Sequence, residues 1–424
     1  MLDFLKNRDD CFRQTLLIVL FSLALFYIRH IPMTIINDDL YNTTTGLTTI
    51  EFFMHNFNGV GRIFCNGMAW LIYRIPFGLW KVLDSFIYLV IAYLLSYLLE
   101  KRYFSWFCLG VCCFPIEKYL STAGYIVCTT NYIYPFLGLL IALIPLRIAY
   151  DRKKQKSFNY VISFIALLYA ANNDSFGIGM ILFCLCFVLI FSFKNTEEKP
   201  IKEMRLAGNR LLLIATIAYL INFFIPGHIY RMTSDDYYWI SDFGTWSLAK
   251  KIYHGYTSTV ATLFFDREPM MILFFISLCL LSIIKKKLAG ILPITSLSIF
   301  HFINKEKYLL FLGTAEISDL QGNIVSTSAF IVSITVVVLV FYCFWNLFDN
   351  GTISWLLSSL MGIGGVTRAM MGLHVSLYAS SYRTFTLFSF ILLICTYFTI
   401  KEISKNLSHD KILLIFPLIV LYIN

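Results

Sequence analysis

Charged side chains are scarce in this sequence. Asp, Glu, Lys and Arg make up 14% of its 424 residues, against about a quarter in an ordinary soluble domain. With 58% hydrophobic residues and a mean hydropathy of +0.72, that scarcity excludes a soluble fold and points to a polytopic membrane protein. Other things are missing too. There is no phosphate-binding glycine loop and no Gly-x-Ser-x-Gly elbow, so the familiar NTP-driven pumps and serine hydrolases are excluded, while proton-coupled transport is not. No His/Cys set has metal spacing, and Cys112-Cys113 is no metal motif. No Arg-rich domain accompanies the net charge of +9, so nucleic acid is set aside as a partner. Cytoplasmic retention of Lys and Arg explains the excess better. No Ser/Gly linker, low-complexity tract or internal repeat divides the chain, which predicts one integral domain over residues 1–424. No small-residue cleavage site follows the first apolar run, which predicts a retained helix rather than a signal peptide.

What is present is apolar sequence in long runs, rich in Phe (40) and Tyr (26), as expected where rings fill helix contacts and line membrane interfaces. A span needs about 20 apolar residues. Candidates are 14–36, 77–99, 103–117, 131–149, 158–171, 176–193, 209–226, 269–284, 288–303, 325–347, 352–370, 384–400 and 411–423. The predicted fold is all-α, a bundle of about 11–13 spans by this count, with short interfacial helices in its outer loops. An N-terminus in the cytoplasm puts most Lys and Arg into inner loops, which is the positive-inside bias. Segments 37–76, 118–130, 172–175, 227–268, 304–324 and 371–383 then face outward. Of the 11 Cys, most lie in apolar runs as small hydrophobes; Cys65 and Cys128 fall on the outer side, where they could pair.

The polar clusters gather at span ends. Asp38-Asp39 follows the first apolar run. An adjacent carboxylate pair can serve as general base, as ligand to a hard divalent cation such as Mg or Mn, or simply as a solvated helix stop. Asn58-Gly59-Val60-Gly61-Arg62 opens a half-apolar stretch, and Arg62 is either a substrate contact or a surface anchor. Asn131 and Tyr132 stand in Thr129-Thr130-Asn131-Tyr132-Ile133-Tyr134-Pro135, where they could hydrogen-bond sugar hydroxyls or belong to an aromatic belt. Asp174, in Asn172-Asn173-Asp174, interrupts two apolar runs. An acid at such a break faces protein or a water-filled cavity rather than lipid. Pro226-Gly227-His228-Ile229-Tyr230-Arg231 ends another run. Arg231 can hold phosphate with its forked donors and His228 could assist, unless Asp235-Asp236 neutralises the arginine. Arg383, in Tyr382-Arg383-Thr384, and Arg368 complete the set, either as phosphate ligands or as snorkelling side chains.

The order of these motifs resembles the GT-C superfamily of membrane glycosyltransferases, and most closely a bacterial GT-C-like group related in architecture to the Gtr-type glucosyltransferases that decorate O-antigens. The resemblance runs from about residue 36 to 385 and is made of short motifs in sequence. It implies transfer of a sugar, with a hexose expected, from a polyprenyl-phosphate donor to a cell-surface glycan at the outer face of the bacterial inner membrane. It also implies Asp38 or Asp39 as base or metal ligand, and Arg231 and Arg383 as holders of the lipid phosphate. A donor synthase and a donor flippase are partners by the same analogy. Two departures stand out. The family's broken-helix acid is often preceded by Gly and Glu, where this chain has Asn172-Asn173, and its Pro-Gly-Asn is Pro226-Gly227-His228 here. The rival readings are an O-antigen-type polymerase or ligase using lipid diphosphates, and a transporter or flippase, which would place its charges near the bilayer midplane.

Overall fold

The computed structural model describes residues 2–44, 48–193, 199–233, 243–260, 262–263, 268–296, 327–374 and 380–405. The architecture is all-α, with no strand among the described residues. Among the described residues, six helices are long and apolar enough to cross a membrane, namely Phe77–Leu98, Tyr125–Tyr150, Asp174–Ser192, Ile201–Phe223, Gly351–Leu373 and Tyr382–Ser404. Five shorter apolar helices accompany them, and the protein is a multi-pass membrane bundle. It divides into two compact units, one of Met1–Ile181, Thr196–Arg231 and Leu414–Asn424, the other of Leu182–Asn195 and Met232–Leu413. The candidate span 411–423, the segment 304–324 and the residues Asp235-Asp236 lie outside the described residues.

In the first unit α1 (Leu2–His30) packs on α5 (Phe77–Leu98) and α6 (Phe104–Cys112). Three short helices lie between α1 and α5 in the chain: α2 (Asn37–Thr44), α3 (Thr49–His55) and α4 (Ile63–Ile72). None is long enough to cross a bilayer. α3 starts on a capping box, in which Thr48 Oγ1 accepts from Glu51 N and Glu51 accepts from Thr48 N at 2.9 Å, satisfying two otherwise orphaned donors. Ile50, Phe53, Met54 and Phe57, then Phe64, Met68 and Leu71, are exposed at helical spacing, and Arg74 stacks on Trp70 at 3.8 Å. These features suit helices lying in a membrane interface.

The stretch 103–117, a span by hydropathy, is not one. Its helix α6 stops at Cys112 after nine residues, about 14 Å of rise, and the chain turns before Pro115. Residues 106–116 are all buried, so their apolarity serves protein contacts. α7 (Ile116–Leu120) follows. α8 (Tyr125–Tyr150) packs between α5 and α9 (Ser157–Ala170). The turn Asn172-Asn173 leads into α10 (Asp174–Ser192), which belongs to this unit as far as Ile181, and α11 (Lys199–Phe223) and α12 (Pro226–Thr233), the latter as far as Arg231, follow. Deep between α1 and α5, His30 Nε2 lies 2.8 Å from Asp84 Oδ2, both fully buried.

In the second unit α13 (Leu248–Val260) packs on α16 (Gly351–Ala369), α14 (Pro269–Ile284) on α17 (Thr386–Ser404), and α15 (Thr327–Leu347) on α16. Glu268 caps α14 by accepting from Met271 N at 2.7 Å, and its other oxygen accepts from Ser389 of α17 at 3.0 Å. Lys285 joins Glu402 at 2.7 Å. Arg368 is buried with its guanidinium 4.3 Å from the centre of the Phe385 ring. Arg383 sits half-buried in the turn Ser381–Phe385 that feeds α17.

Candidate functional site

The two adjacent aspartates do different things. Asp39 is fully buried. Its carboxylate accepts from Ile126 N at 2.9 Å, Val127 N at 3.0 Å and Tyr73 Oη at 2.9 Å. The first two are orphan donors at the N-terminus of α8, so Asp39 caps a span 87 residues away in sequence. Gly124 makes room for it. Its φ of +126° is open to glycine, and a Cβ there would stand 2.6 Å from the Asp39 carboxyl carbon. Burial pushes the Asp39 carboxyl up from its ordinary value, and the two amides and Tyr73 pull it back. Burial, and then Asp39 itself, push the Tyr73 hydroxyl up. Three donors occupy the positions around Asp39 that a cation would take. Of the pair, Asp38 is the exposed one. Among the described residues no group of three or more His, Cys, Asp and Glu side chains is placed to hold a metal ion.

Asp38 is exposed and lines a cavity of about 370 Å³. That volume falls in the range of small-molecule sites. Its other walls include Tyr41, His55, Arg62, Tyr73 and four asparagines, Asn42, Asn56, Asn66 and Asn131. Two π-helical turns shape them. In Asn56–Val60 the N–H of Gly61 reaches back five residues to Asn56 O at 2.7 Å. In Thr129–Ile133 the N–H of Tyr134 reaches Thr129 O. Such turns recur at functional sites.

The amides form a chain with one direction. Arg62 donates to Asn131 Oδ1 at 3.3 Å, Asn131 to Asn66 Oδ1 at 3.1 Å, Asn66 to Asn56 Oδ1 at 2.6 Å, and Asn56 to Phe52 O at 2.9 Å. Asn172 holds the turn behind it. Its oxygen accepts from Phe64 N and Cys65 N, both at 3.1 Å, and its nitrogen donates to Gly61 O at 3.0 Å and Asn222 Oδ1 at 2.7 Å. Asn173 donates to Asn131 O at 2.7 Å. Cys65 and Cys128 are both buried and neither is in a disulfide, so the pairing they could make is not made.

The motif around Arg62 docks directly on the motif around His228. A Cβ on Gly61, whose φ is +73°, would lie 2.4 Å from His228 N, and one on Gly227 would lie 2.6 Å from Gly61 N. Two glycines therefore let the backbones touch. Arg231 then reaches Asp174 Oδ2 at 3.1 Å, and His228 Nε2 lies 3.5 Å from Asp174 Oδ1. Asp174 is the partner of Arg231 seen here, while Asp235-Asp236 lies outside the described residues. Burial first, and the nearby positive charge of Arg62 second, hold Arg231 down to about 10, with Asp174 opposing and Tyr132 close enough to help it. His228 is held below its ordinary value by burial, against the pull of Asp174. Among the described residues, Arg62 and Arg231 each keep a buried Nε–H with no acceptor. Among the described residues, Asp174 is the carboxylate paired with Arg231, and two neighbouring guanidinium groups with such donors are chemically suited to an anion.

The structure thus gathers Asp38, Arg62 and Asn131 at one cavity, and Tyr132, Asp174 and His228 around the Arg231 guanidinium, with Arg62 near enough to act on its charge. Arg383 belongs to the second unit. Asn56, Asn66, Tyr73 and His55 were not singled out by sequence. The signal that could have found Asn56 and Asn66 is the recurrence of amides at 56, 58 and 66 around the glycine turn. No known family matches the chain, and no curated protein or solved structure matches it.

Proposed function

We propose that this protein is a membrane glycosyltransferase of GT-C-like type that moves a hexose from a polyprenyl-phosphate donor to a cell-surface glycan such as O-antigen. The reading places it in the bacterial inner membrane with the cavity on the outer face. The observation that carries it is the pairing of Asp38 and Arg62 in one cavity, with Arg231 beside Arg62 and a buried, unmet Nε–H on each arginine. Asp38 takes the proton of an acceptor hydroxyl as its oxygen forms a bond to the anomeric carbon. The bond from that carbon to the phosphate oxygen breaks, the configuration inverts, and the polyprenyl phosphate leaves against Arg62 and Arg231. Asp39 keeps the end of α8 in place beneath. A donor synthase and a donor flippase are the partners such a reaction needs. Asp174 supports surface chemistry because it is the first residue of its span.

The test is transfer of radiolabelled hexose from polyprenyl phosphate to host polysaccharide in membranes containing the wild type, Asp38→Asn or Arg231→Gln at equal expression. Wild-type transfer that falls at least 10²-fold in Asp38→Asn, a drop on the order of a lost general base, supports the reading; transfer that Asp38→Asn leaves intact sinks it. One observation favours proton-coupled transport instead, the buried His30–Asp84 pair inside the spans. Proton-driven flux into proteoliposomes, lost in Asp84→Asn, with no transfer by the wild type, would establish that second reading.

A further inference from the structure

The cavity's hydrogen-bonding groups can be counted one by one. Each asparagine amide offers two N–H donors and an oxygen with two acceptor positions. Asn131 spends both donors, on Asn66 Oδ1 and on Val127 O at 2.9 Å, and its oxygen receives Arg62. Asn66 spends one donor on Asn56 and accepts once from Asn131. Asn56 spends one donor on Phe52 O and accepts once from Asn66. Arg62, which can only donate, sets the direction of the whole chain. Among the described residues, Asn66 is left with one N–H and one acceptor position, and so is Asn56, both on the cavity wall. Asp38, on the same wall, is acceptor-only when ionised.

A ligand that satisfies this wall must give hydrogens to Asn66 and Asn56 and take hydrogens from the same two amides. A hydroxyl does both. A carboxylate or phosphate oxygen takes hydrogens but has none to give, and it would meet the Asp38 charge. Tyr41 and Phe52 supply apolar surface on the same cavity, which suits the C–H face of a ring.

We propose that Asn66, seconded by Asn56, is the specificity-determining residue of this cavity, and that it selects a neutral polyhydroxylated ring by bonding a pair of neighbouring hydroxyls, one accepting from its N–H and one donating to its oxygen. The proposal deepens the glycosyl-transfer reading, and rests on it only for taking the ring to be a sugar. It places the ring at the amide wall and leaves the arginines to the phosphate. Uronic acids are rejected by the same wall.

Direct binding tests this without any transfer. The full chain, purified in detergent, is titrated with the methyl glycosides of glucose, galactose and mannose, with the mono-deoxy analogues of whichever binds, and with methyl glucuronide, following ligand signals by saturation-transfer NMR. At least one methyl hexoside is expected to saturate a site. At least one single deoxygenation should weaken it about tenfold, the scale of one lost hydrogen bond, and the glucuronide should bind weaker by at least as much. Asn66→Ala should weaken the best hexoside by a similar factor at unchanged melting temperature. If that variant does not fold, the deoxy series on the wild type decides by itself. Absence of binding by every hexoside, a glucuronide that binds as well as the hexosides, or a deoxy series with no weak member overturns the proposal. Methyl glycosides carry no phosphate and cannot be donors. Binding without transfer would therefore keep this inference and remove the glycosyltransferase, and transfer without hexoside selectivity would do the reverse.

Discussion

Asp39 and Gly124 are a matched pair, because a Cβ on Gly124 would stand 2.6 Å from the Asp39 carboxyl carbon and 2.9 Å from each of its oxygens. The glycine exists for the carboxylate, and the carboxylate exists for the N-terminus of α8. Gly124→Ala is expected to destabilise the fold by about 1–3 kcal/mol from backbone strain alone, with the clash added. Thermal unfolding of the purified variant checks it, and a variant as stable as the wild type would show that Asp39 does not need the space.

The two aspartates should separate in mutants. Asp39→Asn turns an N–H group toward amide donors that need an acceptor, a loss on the order of 1–3 kcal/mol for a buried donor left unsatisfied. Asp38→Asn, on the exposed cavity wall, should leave unfolding unchanged and remove transfer. Melting temperature and transfer rate measured on both variants would show the crossing, and equal effects of the two on both readouts would contradict the division of labour.

His30 and Asp84 make a third prediction. His30 Nδ1 lies 2.6 Å from Phe26 O, and a carbonyl can only accept, so Nδ1 carries a hydrogen. Nε2 then faces Asp84 across 2.8 Å, which requires one proton shared between the two. Asp84→Leu or His30→Leu alone should cost about 3–5 kcal/mol, the scale for breaking a buried pair, while the double replacement His30→Leu with Asp84→Leu should recover most of it. Urea titration of the four proteins in detergent gives the cycle; additive losses would mean that the pair is not coupled.

His228 gives a pH dependence with a definite sign. Its folded-state value is held below the ordinary 6.5, with burial the largest cause, so just under 6.5 the unfolded chain binds more protons than the folded one. Stability should therefore fall as pH drops through that window and level off above it. Comparing melting at pH 7.5 and pH 5.5, the loss should shrink in His228→Gln. An equal loss in both proteins would assign the acid sensitivity elsewhere.

How far the sequence could be read depends on how local each signal is. The spans were legible because hydropathy is summed over neighbours, yet 103–117 was misread, since apolar side chains buried in protein score like those facing lipid. The candidates 38, 62 and 131, and likewise 174, 228 and 231, stood out as polar residues at the ends of apolar runs, and the fold brings each group together. Which aspartate faces the cavity was not legible, because it depends on where α8 begins, 87 residues on. His30 and Asp84 escaped for a related reason. Each reads as an isolated polar residue in an apolar segment, and only their pairing across 54 positions gives either one a meaning.

The π turns at Asn56–Val60 and Thr129–Ile133 have a consequence for the length of the chain. Each holds one residue more than an α-helical turn would, and each residue advances an α-helix by about 100°. Deleting one residue from Thr129–Ile133 would let the helix close to an ordinary turn with its flanks in phase. The span would survive, Asp39 would still find its amides, and Asn131 would no longer be presented to Asn66 and Arg62. The recognition wall is thus written partly in residue number, so that a one-codon deletion could erase the site and spare the bundle.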